Sequence, residues 1–167
     1  MKKIFLISIV LSVVCAASAQ TTFSVPTPTL EQKYDNTRWL MNNYILSCIS
    51  VAKSDGMTAE EFGKKGGEVF GPFWDVNTGF EQIVNYMLNY WAWLADDVQI
   101  IEQSNEKVVI VVPHIYPWLE EEGVLAGVSL EEFITYQNTV HATLFKHFDV
   151  GFDLTRGEEG FKTIITQ

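Results

Sequence analysis

With 21 acidic residues against 11 basic in a chain of 167, the net charge of −10 leaves no basic stripe to follow a phosphate backbone. Nucleic acid and anionic lipid are poor partners for such a surface. Apolar residues make up 47% and aromatic ones 13%, enough for a sizeable core in one domain of ordinary length.

The first 19 residues read as a targeting segment. Lys2 and Lys3 give a basic start, residues 4–14 an apolar core, and Ala17-Ser18-Ala19 a small-residue site, so cleavage is expected before Gln20. The apolar core is shorter than the roughly 20 residues a spanning helix needs, and no later stretch reaches that length. The expectation is an exported protein, periplasmic or extracellular, with no membrane span once the signal is removed. Val14 stands before Cys15 where a lipidation site generally has a small residue, so lipid attachment at Cys15 is the lesser reading. Cys48 would then be the one remaining thiol, with no internal disulfide, placed in an apolar helical run where it acts as a small buried hydrophobe.

Residues 20–29, with Pro26 and Pro28 among threonines, form an extended leader, and a single domain is expected over residues 30–167. The spacing of Leu30, Tyr34, Thr37, Met41, Tyr44, Cys48 and Val51 predicts a long first helix packed on that face and ending near Gly56. Thr58-Ala59-Glu60-Glu61 is a capping box that opens a second helix, with Phe62, Val69 and Phe70 turned inward. Gly63, Gly66 and Gly67 weaken that helix by up to about 1 kcal/mol each relative to alanine, and close packing against another helix is the expected compensation.

Residues 80–95, FEQIVNYMLNYWAWLA, form the most apolar segment after the leader and predict a central helix covered on most sides. Thr78 to Glu81 has the spacing of another capping box. The least apolar line, Gln82, Asn85 and Asn89, faces either solvent or a polar pocket. Asp96 and Asp97 close the helix, because two carboxylates oppose its dipole there.

Two β-rich runs, residues 98–103 and 107–112, predict a hairpin whose second strand is apolar on both faces. Pro113-His114-Ile115-Tyr116-Pro117-Trp118 follows, a stiff loop able to hold His114, Tyr116 and Trp118 at the mouth of a pocket or to finish the core with its aromatics while His114 faces water. Glu120-Glu121-Glu122 reads as an exposed turn of helix and loop. Ser129 to Glu132 is a further capping box, opening a last helix that carries His141 beside a face of Phe133, Tyr136 or Gln137, Val140 and Leu144. His141 and His147 are six apart and cannot share a metal as an i, i+4 pair would. Neither a metal nor a cofactor is expected. Residues 150–156 and 161–166 alternate about a glycine-rich turn and make a second hairpin. The order predicts an α+β fold, four main helices packed on a four-stranded antiparallel sheet of two hairpins.

The succession VQIIEQSNEKVVIVVPHIYPW, then a helix bearing His141, then FDVGFDLTRGEEGFKTIIT resembles the small α+β domains of L-2-amino-thiazoline-4-carboxylic acid hydrolase-like proteins, related in shape to the 4-vinyl reductase domain. The resemblance covers residues 41–166 in element order. That family often carries cysteines beside the proline that ends the central hairpin, in the last helix and in the final strand. Here those regions read Pro113-His114, His141 and Phe161-Lys162-Thr163, so thiol chemistry does not carry over. The resemblance implies a pocket between sheet and helices for a small organic molecule, with His114 and His141 as its polar groups and Tyr116 or Asn89 placed to orient a carbonyl. The alternative is that both histidines simply hydrogen-bond within the core, and for His141 that is the favoured reading. Three functions remain open: an exported small-molecule-binding domain with an aromatic pocket built from His114, Tyr116, Trp118, His141, Asn85 and Asn89; a hydrolase of an amide-like C–N bond with His114 as base; and an interaction module whose aromatic excess forms a homodimer face.

Overall fold

Capping chemistry sets where the helices begin. The computed structural model describes residues 29–75, 77–95 and 97–167, so the expected targeting segment, nearly all of the expected extended leader, and Asp96 lie outside the described residues. Helix α1 (Leu30–Ser54) starts at Thr29, whose hydroxyl accepts from the Gln32 amide while Gln32 reaches back to the Thr29 amide. Helix α2 (Ala59–Phe70) and helix α5 (Leu130–Phe145) start at the boxes of Thr58 with Glu61 and Ser129 with Glu132. Helix α3 (Phe80–Leu94) instead begins at Gly79, whose amide donates to Gln82, one residue later than the Thr78 spacing suggested.

The fold is mixed α+β. Strands β1 (Gln99–Gln103), β2 (Lys107–Val112), β5 (Gly151–Gly157) and β6 (Gly160–Thr166) form an antiparallel sheet in the order β1-β2-β6-β5, so the two expected hairpins meet along β2 and β6. The region expected as an exposed turn and loop is more ordered. It folds into the short helix α4 (Pro117–Glu122) and a two-stranded hairpin of β3 (Val124–Leu125) and β4 (Val128–Ser129).

Register explains the core. Val108, Ile110 and Val112 pair with Ile165, Thr163 and Phe161, and Leu154 pairs with Thr163, so one sheet face collects these side chains beneath the helices. Helix α3 lies over it through Ile83, Met87, Trp91 and Leu94, all buried, and the Trp91 indole N–H donates to Thr163 Oγ1 at 3.0 Å. That bond satisfies two groups that would otherwise be stranded in the interior. On the opposite face Val109 and Val111 are also buried, set between Glu102 and Ile164 and between Gln99 and Lys162 across the strands.

Helices α2 and α5 pack backbone to backbone. A Cβ at Gly67 would stand 2.6 Å from the Val140 carbonyl oxygen, and one at Gly63 2.9 Å from that of Tyr136, so the glycines that weaken α2 permit its closest contact. Val69 and Phe70, expected inward, are exposed beyond that contact.

One expectation about helix phase is corrected and one holds. Helix α1 buries Asn42, Leu46, Ile49 and Ala52, leaving Leu30, Tyr34, Tyr44 and Val51 of the anticipated face in solvent. Helix α3 buries Ile83, Met87, Trp91 and Leu94 and packs Phe80, Val84, Tyr86, Leu88 and Tyr90 against the same core, so it is covered on most sides, while Trp93 projects outward beside the exposed line of Gln82, Asn85 and Asn89. Among the described residues, no helix is long and apolar enough to cross a membrane.

Candidate functional site

The stiff loop after β2 turns because one carboxylate gathers it. Glu120 Oε1 accepts from the amides of Ile115 (2.9 Å) and Tyr116 (3.0 Å), and Pro117 starts α4 with its fixed φ. Ile115 and Tyr116 are thereby drawn into the core while Trp118 is left at the surface. The Trp118 ring meets Trp39 of α1 edge-on, with centroids 6.4 Å apart and planes at 77°.

Between α1 and this turn lies a groove of about 200 Å³, walled by Trp39, Trp118, Pro117 and Arg38 and floored by Asn42 and Tyr116. The Arg38 guanidinium bonds to Asp35 at 3.2 Å and lies over the Tyr34 ring, 5.1 Å from its centroid. The Tyr34 hydroxyl donates to the Ala92 carbonyl and so fastens this half of α1 to α3.

Asn42 is one of three buried side chains among the described residues, with Tyr116 and Gln137, that hold a polar atom without a hydrogen-bond partner. Its residue is 2% exposed, yet Oδ1 has no hydrogen-bond partner. A stranded buried amide oxygen costs about 1–3 kcal/mol, and folded chains seldom leave one without a reason. Beside it the Tyr116 hydroxyl makes no well-formed hydrogen bond. Burial pushes its pKa up, and the nearby Asn43 amide works against that push.

His114 stands at the rim of the same loop rather than in the groove. Its side chain is 70% exposed, and Nδ1 lies 2.9 Å from Glu120 Oε2. A carboxylate on Nδ1 favours the proton there and leaves Nε2 to accept one, the arrangement a general base requires.

His141 sits elsewhere, buried in a cage of rings with Tyr90 at 4.8 Å and Phe152 at 5.2 Å. Nδ1 is 2.8 Å from the Gln137 carbonyl, which can only accept, so Nδ1 carries the hydrogen. Desolvation lowers the His141 pKa to about 4 against a smaller opposing effect from that hydrogen bond, and the ring is neutral at physiological pH. Gln137 Oε1 accepts from the Tyr90 hydroxyl at 2.7 Å. This is a core hydrogen-bond cluster.

The two asparagines of α3 reach neither place. Asn89 is exposed and donates to its own helix at Asn85 O. Asn85 lines a separate cleft of about 460 Å³ at the edge of the sheet, with Phe80, Val84 and Leu88 on one side and Ile100 and Gln103 on the other. Of the six site residues expected from sequence, the fold brings Tyr116 and Trp118 together, sets His114 beside them, and disperses His141, Asn85 and Asn89.

The groove also contains residues the sequence did not single out: Arg38, Trp39 and Asn42, with Glu120 behind them. A usable signal existed for Asn42, a polar residue at i−4 and i−7 from Leu46 and Ile49 on what is now the buried stripe. No group of three or more histidine, cysteine or acidic side chains able to hold a metal occurs among the described residues. No family model and no curated protein matches the chain.

Proposed function

We propose that this chain is an exported binding protein for a small planar organic molecule, held in the groove between α1 and the Pro117 turn. The observation that carries the reading is the Asn42 amide, buried at the groove floor without a partner. The edge-on tryptophans give a ring two apolar walls, and the asparagine amide can complete its hydrogen bonding on the polar edge of that ring. The targeting segment supports a working place outside the cytoplasm.

Benzamide is a suitable first probe, because it joins a flat ring to one amide. Titrated into the protein, it should quench and shift the tryptophan emission in a saturable way, and Trp118→Ala should abolish that response. An unsaturable response, or one that survives Trp118→Ala, would count against the groove.

The hydrolase reading is favoured by one observation, the Glu120 carboxylate that orients His114. In that reading His114 Nε2 takes a proton from water as the water oxygen bonds to the carbon of an amide-like C–N bond, Glu120 stabilises the imidazolium that forms, and the proton passes to the departing nitrogen as the C–N bond breaks. The resemblance to the thiazoline-carboxylate hydrolase-like domains belongs with this proposal. Binding ranks first because neither a nucleophile nor an oxyanion donor stands with His114 in the described geometry.

A further inference from the structure

The outer face of α1 raises a different question. Leu40, Tyr44 and Val51 are 60%, 71% and 61% exposed, and they fall in one line with Lys33, Thr37, Ser47 and Ser54. These seven positions recur in alternating steps of four and three, the spacing of a coiled-coil seam, and the line points away from the groove. From residue 36 to residue 52 the helix carries one charge, Arg38, and that side chain turns toward the groove. In a chain of net charge −10, this face is where a second acidic molecule can approach without repulsion.

The polar members of the seam can be buried at little cost. Thr37 donates its hydroxyl hydrogen to the Lys33 carbonyl at 2.8 Å, Ser47 to Asn43 at 2.8 Å, and Ser54 to Val51 at 2.7 Å. Each hydroxyl is satisfied within its own helix, so covering it strands no donor.

We propose that this seam is a homodimer interface, in which α1 pairs antiparallel with α1 of a second copy about an axis between Tyr44 and Ser47. That register sets Leu40 against Val51 of the second copy and the large Tyr44 ring against the small Ser47, so apolar meets apolar and knob meets hole. It also carries Lys33, in the first turn, to within about one helical turn of Asp55 at the other copy's C-cap, joining opposite charges at both ends. A parallel arrangement would set Lys33 on Lys33 and Asp55 on Asp55. The proposal is independent of the groove, because Asn42 and Trp118 lie on the other side of the helix.

Sedimentation equilibrium up to millimolar concentration tests it. The wild type should show a monomer–dimer equilibrium, and Leu40→Asp should sediment as monomer while its thermal unfolding stays close to that of the wild type. Lys33→Glu should weaken the dimer about tenfold, and adding Asp55→Lys should restore it. A wild type that is monomeric throughout, a Leu40→Asp variant that dimerises as well as the wild type, or a charge swap without rescue would each overturn the antiparallel seam.

Discussion

Helices α1 and α3 are both rich in apolar residues, and the fold treats them in opposite ways. Helix α3 presses Ile83, Met87, Trp91 and Leu94 into the sheet, and the one polar group on that stripe, the Trp91 N–H, is paired with Thr163. Helix α1 buries a thinner stripe that includes an amide with no partner, and it keeps Trp39, Leu40, Tyr44 and Val51 in solvent. A helix that only supports the fold has its polar groups satisfied and its apolar groups covered. On the binding proposal, a helix that leaves both unfinished is arranged for something outside the chain.

Substitutions that act on one helix and spare the other should break or sharpen that contrast. The largest effect belongs to Trp91→Ala, which removes a wholly buried ring and strands the Thr163 hydroxyl. It should cost about 3–5 kcal/mol in denaturant unfolding.

The pH dependence comes next. His141 is held neutral with a pKa of about 4, below its ordinary value of 6.5, so the unfolded chain binds the proton more readily than the folded one. Stability from this group is complete above pH 6.5 and falls as the pH drops toward 4, by up to about 3 kcal/mol. Lys53 bonded to Glu132, with the Ser129 amide behind it, lowers that carboxyl in the folded state and adds acid sensitivity of the same sign. Unfolding free energy measured from pH 7 to pH 4 should therefore decline, and His141→Met should flatten the slope.

Thr163→Val keeps the shape of the strand but leaves the Trp91 N–H stranded, at a cost of about 1–3 kcal/mol by the same denaturant measurement. Tyr44→Ser, on the outward seam of α1, should change unfolding by less than about 0.5 kcal/mol. Should Tyr44→Ser destabilise the isolated chain as much as Thr163→Val, the distinction between the two helices would fail.

The sequence made the order of elements legible and the phase of α1 illegible, for one reason. Local signals are strong where a hydroxyl and a carboxylate three residues apart close a helix start, as at Thr58 and Ser129, and where branched residues run together, as in β2. Apolar residues surround α1 on nearly every side. Hydrophobicity alone could not choose between the stripe of Leu46 and Ile49 and the line of Tyr44 and Val51, and the buried stripe carries Asn42. Helix α3 is easier to phase, because Gln82, Asn85 and Asn89 mark its solvent line, although Trp93 is left outside with them.

At the site, Tyr116 and Trp118 could be read because two prolines stiffen their loop. Glu120 could not. An acidic run reads as solvated surface, and only the turn after Pro117 brings this carboxylate back onto His114 and two amides. Trp39 and Asn42 lie some 75 positions before the loop they face, and no local pattern links segments that far apart.

The central claim is that Asn42 is left unsatisfied for a ligand, and replacing it with leucine of similar size puts that claim to its most direct test. Thermal unfolding and benzamide titration of Asn42→Leu should show a protein more stable by about 1 kcal/mol, since a stranded amide is gone, and unable to bind the probe. A variant that is less stable, or that binds as the wild type does, would contradict it.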